Sequence, residues 1–162
     1  MIRQPGYMPN IGFFKKIQSS DIFVYLDDVQ FSKDSFDNRN QIKTNFGPEW
    51  ITVPLNRPVF EKKFNEVSIS YETNWIKEHC NKIFENYKST PYFSSYWYEI
   101  EKILNYKHKL LIQLNFELIK YFIKILDIHT QTIKSSELSI TKIKTERLVE
   151  ICLKLNAICY IS

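Results

Sequence analysis

Asp21-Ile22-Phe23-Val24-Tyr25-Leu26-Asp27-Asp28 is the stretch on which the fold turns. Ile22 to Leu26 are β-branched, aromatic or aliphatic without a polar break, and carboxylates stand on both sides. A continuous apolar run of this length reads as a strand buried on both faces, and such strands belong to parallel sheets covered by helices. What precedes it fits. Residues 1–4 are a short extended piece stopped by Pro5 and Gly6. Residues 11–18 place apolar side chains at 11, 13, 14 and 17, the spacing of a short helix with one buried face. Strand, tight polar loop, helix and strand is the opening of a parallel α/β unit.

Downstream, a polar stretch runs from Asp27 to Asn40. Residues 41–44 and 50–55 read as two strands joined at Phe46-Gly47-Pro48. Residues 67–70 alternate like a short strand, and Thr73 or Asn74 is placed to cap a helix reaching about Lys88. That helix carries Trp75, Ile76, His79, Ile83, Phe84 and Tyr87 on one face. Pro91 ends it, and helices are expected near 94–105 and 107–126, with a strand at 130–133 and a helix at 142–155. Residues 158–161 read as a last interior strand, with Tyr160 packed near the strand at 130–133. A chain stopping inside such a strand reads as cropped. The expected class is therefore α/β: a mostly parallel sheet flanked by helices, with a β-hairpin near 41–55 and a helical middle section at 73–126, in a single domain over 1–162.

Composition narrows the function. The 44% hydrophobic and 25% charged fractions are those of an ordinary globular chain. No apolar run approaches the roughly 20 residues that cross a bilayer. The most apolar stretch, 110–126, is broken by Gln113, Asn115, Glu117, Lys120 and Lys124. Met1 leads straight into Arg3-Gln4-Pro5 with no signal-peptide pattern, so a cytoplasmic location without membrane insertion is expected. Three scattered cysteines make no disulfide framework, and the three histidines form no local metal cluster. The net charge of +4 comes from lysines interleaved with acids along the chain, so nucleic-acid binding is not expected.

The chemistry-bearing residues converge on strand ends. The loop Gln4-Pro5-Gly6-Tyr7-Met8-Pro9-Asn10 joins a strand to a helix, where backbone N–H groups favour an anion. Asp27 and Asp28 close the next strand and suit a general base, a hydroxyl contact or Mg²⁺; alternation along a strand lets one of the two point into the site. Arg39, between Asn38 and Asn40, is the natural anion clamp, since a guanidinium forks onto phosphate or carboxylate. Ser135 and Ser136 follow the strand at 130–133, and Arg147 sits in the first turns of the last helix. Turns and helix caps account equally well for several of these residues. Gln4, Asp27 or Asp28, and Arg39 are expected on one edge of one sheet, facing a small-molecule substrate.

Ile2-Arg3-Gln4-Pro5-Gly6-Tyr7-Met8-Pro9-Asn10, Asp21 through Phe31, Asn38-Arg39-Asn40-Gln41-Ile42-Lys43 and Trp50-Ile51-Thr52-Val53-Pro54 together resemble the WbqC-like family. Later blocks, Pro91-Tyr92-Phe93, Ser135-Ser136-Glu137-Leu138, Lys144-Thr145-Glu146-Arg147-Leu148 and Tyr160-Ile161-Ser162, resemble it collinearly. Arg3 stands where the family usually has His or Met, so no role for that histidine carries over. The family pattern runs on past Ser162 with a Gly-rich segment. WbqC-like proteins occur in bacterial gene clusters for O-antigen and other surface polysaccharides. The resemblance therefore implies a transferase, with glycine or another acyl group passed to an amino sugar. A nucleotide-linked sugar is the implied partner. The cofactor is left open, with ATP and Mg²⁺ suited to an acyl-adenylate, although no His-x-Gly-His signature is present. A non-catalytic protein binding a sugar nucleotide or a partner enzyme is the alternative, and the oligomeric state is not readable.

Overall fold

The computed structural model describes residues 1–32 and 35–161. Three parallel strands form the main sheet: β1 (Ile2–Arg3), β2 (Ile22–Tyr25) and β5 (Gln131–Lys134), in the order β1-β2-β5. Ile2 is in register with Val24, and Ile22 through Tyr25 with Gln131 through Lys134. The uninterrupted apolar run thus takes the central position, where both faces need cover. Phe23 and Tyr25 pack on α1 (Ile11–Gln18) through Phe14 and Ile17, and on Ile119 of α4 (Leu111–Ile125). Ile2 and Val24 pack on the opposite face against Ile151 of α5 (Lys144–Lys154). Asn10 caps α1 by accepting from the backbone N–H of Phe13.

A second layer stands beside this sheet. The antiparallel pair β3 (Arg39–Thr44) and β4 (Gly47–Thr52) packs with α2 (Trp75–Tyr87), α3 (Phe93–Asn105) and α4 around Tyr7, Ile51, Phe64, Leu104, Leu114 and Leu118. Helix α4 serves both cores: Leu114 and Leu118 face this one, and Ile119 faces the sheet. An apolar surface wide enough for two cores is what its nearly continuous hydrophobic sequence encodes.

Four local expectations change. The hairpin turns on Asn45-Phe46, closing Thr44 against Gly47, and not on Phe46-Gly47-Pro48. Thr44 Oγ1 receives the Phe46 N–H, and Gly47 starts β4 at φ +113°, a value that favours glycine. Residues 67–70 make isolated bridges to Leu55 and Leu110 instead of a strand, preceded by a 3-10 turn at Phe64–Glu66. Asn74 precedes α2 without making a side-chain cap bond. Residues 158–161 are not a strand. Tyr160 and Ile161 lie with Met1, Ile2, Ile22 and Val24 on the β1 side of the sheet, opposite the expected neighbour β5. With only two residues, β1 offers too short a ladder to hold an apolar segment as a strand.

Candidate functional site at the carboxyl edge of the sheet

Strands β1, β2 and β5 end on one edge, because the sheet is parallel. Gln4 follows β1 there, half-buried, while Asp27 and Asp28 follow β2 and a 3-10 turn, Ser135–Leu138, follows β5. The register Tyr25↔Lys134 fixes what comes next. Ser136 donates to Asp27 twice, from its backbone N–H at 2.9 Å and from its hydroxyl at 2.6 Å. Ser135, fully buried, approaches Asp27 Oδ1 at 3.1 Å and also bonds Asp28. Its hydroxyl carries one hydrogen, so it donates to one carboxylate at a time. Arg147 of α5 pairs with Asp28 Oδ1, and both side chains are largely withdrawn from water. Asp27, Asp28, Ser135, Ser136 and Arg147, separated by more than a hundred residues, are thus one hydrogen-bonded set.

Alternation along a strand does not separate the two carboxylates. β2 ends at Tyr25, so Asp27 and Asp28 lie beyond the pleat, and the turn brings both to Ser135. Burial works to raise the Asp28 carboxyl, but bonds from Ser135 and Arg147 and the charge of Arg147 outweigh it and hold it below the usual range.

Arg39 is not on this edge. It belongs to the separate two-stranded sheet, where its guanidinium stands 4.6 Å from the centroid of the Trp50 ring. It lines a cavity with Asn38, Phe31 and residues 52–55 and 57–60. Asn40, the next residue, faces the other way and donates to the carbonyls of Met8 (2.7 Å) and Tyr7 (3.3 Å). Neighbours on a strand point to opposite faces, so only one of them can reach the Pro5 loop, and Asn40 does. Asn38 donates to the Val53 carbonyl at 2.9 Å, tying its own hairpin.

The Pro5 loop is held from inside. Pro5 is buried, and its carbonyl accepts from Asn115 at 2.7 Å. The same Asn115 nitrogen donates to the Asp37 carbonyl at 2.8 Å. A Cβ on Gly6 would stand 2.8 Å from the Phe36 carbonyl oxygen, so glycine is needed for this close approach. Asn115, Asp37 and Asn65, whose backbone N–H donates to the Asp27 carbonyl at 3.0 Å, are site residues that the sequence reading does not reach. A lone asparagine on the apolar stripe of α4 was the available signal. The side-chain oxygens of Asn115 and Asn65 and one Asp37 oxygen are buried without a hydrogen-bond partner, and burial raises the Asp37 carboxyl.

Tyr7 is wholly buried, and its hydroxyl meets His79 Nδ1 at 2.9 Å, 72 residues away. Desolvation, together with the charge of Lys82, lowers the His79 imidazole to about 4, against a weaker opposing bond with the Thr52 backbone. A folded value below the unfolded one of about 6.5 means the unfolded chain binds the proton first. Stability should therefore fall as pH drops from about 6.5 to 4, by on the order of 3 kcal/mol at most. Urea midpoints of the wild type and His79→Gln across pH 4–8 check this. An equal slope in both would remove His79 as the cause.

Among the described residues, no three His, Cys, Asp or Glu side chains are grouped to hold a metal ion. Asp28 is neutralised by Arg147 and Asp27 accepts from both Ser136 donors, with Ser135 shared between the two carboxylates, so Mg²⁺ on this pair would have to displace protein donors. The arrangement does not fit that ion. No described helix is long and apolar enough to cross a membrane.

The fold and this edge define an α/β protein with a polar site where its parallel strands end. The chain belongs to the WbqC-like protein family, whose sequence pattern matches residues 4–162. It is 34% identical over 163 residues to the uncharacterized protein Rv1507c of Mycobacterium tuberculosis, covering 99% of this chain and 70% of that protein. No solved structure matches it.

Proposed function

We propose that this protein is a cytoplasmic transferase of bacterial surface-polysaccharide (O-antigen, lipopolysaccharide) biosynthesis that passes glycine or another acyl group to the amine of a nucleotide-linked sugar. The observation that carries the reading is the joined set of Asp27, Asp28, Ser135, Ser136 and Arg147 at the carboxyl edge, where parallel α/β sheets take their ligands. Asp27 would orient the attacking amine and accept its proton as the new acyl–nitrogen bond forms and the bond from the acyl carbon to the activated donor's leaving group breaks, that group (AMP, for an acyl-adenylate) departing with the bonding electron pair. Asp28 is held anionic and serves as the partner of Arg147. Gln4 and the Pro5 loop flank the same edge.

The saturation of both carboxylates by protein donors favours one other reading, a non-catalytic protein that binds a sugar nucleotide or a partner enzyme. Radiolabelled glycine, ATP and Mg²⁺ supplied with UDP-linked amino sugars separates the two. Label should enter the sugar nucleotide with the wild type and fall at least 100-fold with Asp27→Asn, the scale of a removed acid–base group. Binding of the sugar nucleotide with no label transferred from any activated acyl donor would leave the binding-protein reading.

A further inference from the structure

Six of the lysines dispersed along the chain come together in space. A trough of about 940 Å³ runs between the end of α3, residues 106–109 and the outer face of α4, and ends at Lys134 of β5. Six lysines line it: Lys102, Lys107, Lys109, Lys120, Lys124 and Lys134, against two glutamates, Glu99 and Glu117. Those acids pair with Lys102 at 3.6 Å and Lys120 at 2.9 Å, and Lys134 reaches Glu137 at 3.8 Å. Among the described residues, Lys107, Lys109 and Lys124 have no such partner. Burial lowers the His108 imidazole and so favours its neutral form. The trough also abuts the carboxyl edge: Lys134 immediately precedes Ser135, and its ammonium stands 5.3 Å from the centroid of the Phe116 ring, beside Asn115. A second, smaller hollow along β5 shares Phe116, Lys120, Lys124 and Lys134 with it, so the basic surface is continuous to the strand end.

We infer that this trough is a binding site for a soluble diphosphate, its phosphates lying against Lys124 and Lys134, which line both hollows on the side next to the carboxyl edge. Several flexible ammonium groups without a planar fork recognise charge more than shape, which suits a diphosphate that adjusts to them. The volume is that of a small-ligand cleft, and the concave form suits neither a flat bilayer surface nor a duplex. Identifying the carrier as a nucleoside diphosphate rests on the transferase reading; the phosphate site does not.

The test is calorimetric titration of inorganic pyrophosphate into the whole protein at low salt, without turnover. Three proteins are compared: wild type, Lys124→Glu/Lys134→Glu, and the control Lys15→Glu/Lys16→Glu on α1. The trough variant should bind at least tenfold more weakly, the control within twofold of wild type, and binding should weaken as salt rises. Absence of binding by the wild type at millimolar pyrophosphate overturns the site, as does an equal loss in both variants. A single-stranded RNA oligonucleotide that binds more tightly than pyrophosphate with the same variant sensitivity overturns the diphosphate assignment. Because no acyl transfer is read, failure of the transferase reading and failure of this site are distinguishable; matching unfolding curves keep misfolding out of the comparison.

Discussion

Asn115→Leu is expected to destabilise the protein by about 3 kcal/mol in urea unfolding at pH 7. Asn115 is wholly buried, and its one amide nitrogen satisfies the carbonyls of Pro5 and Asp37. Leucine has the same branched shape, is bulkier and has no donor, so two buried carbonyls lose their partner at about 1–3 kcal/mol each. An opposing effect is smaller: the Asn115 side-chain oxygen has no partner in the native fold, and leucine removes it. The net falls between these limits. Asn115→Asp should be worse, because it puts a carboxylate beside two carbonyl oxygens in a dry position. A change under about 1 kcal/mol for Asn115→Leu would mean the Pro5 and Asp37 segments relax away from α4 and are not held by it.

Arg147→Met should cost a similar amount, about 3 kcal/mol, the lower end for breaking a buried ion pair because some water still reaches it. The sign with pH is definite. Asp28 titrates below its unfolded value in the wild type, so its contribution is present above about pH 4 and lost as pH falls through the lower folded value. Without Arg147, only the Ser135 and backbone hydrogen bonds oppose burial, so the folded carboxyl moves up and less of its contribution is lost on acidification. The stability gap between wild type and Arg147→Met should therefore narrow on acidification from pH 7 to pH 3. Asp28→Asn in the Arg147→Met background should recover most of the loss, since an amide is cheaper to bury than an unpaired charge. A gap that does not change with pH would show that Arg147 contributes packing and not charge.

Both predictions concern contacts between residues far apart in the chain, and that is where sequence and tertiary structure divide. Periodicity is a local property. The apolar run Ile22 to Leu26, the 3.6-residue stripe of α2 and the spacing at 11, 13, 14 and 17 each name an element without reference to any other. Parallel order then follows from the two-sided burial of β2, and with it the edge on which Gln4, Asp27, Asp28, Ser135 and Ser136 must lie. That much was legible. Arg39 shows the limit: adjacent strand residues face opposite ways, and the choice between Arg39 and Asn40 for the Pro5 loop depends on how the hairpin packs. Residues 158–161 show it again, since apolar composition makes a strand only where a long enough neighbour offers backbone partners. By itself the sequence determined the α/β class, the strand ends that bear the polar residues, and membership of a family. Only the tertiary structure decided that Arg147 neutralises Asp28, that Tyr7 meets His79 in the core, and that six separated lysines line one trough. Pairing energies and summed fields depend on distance through space, and a chain position does not encode that distance.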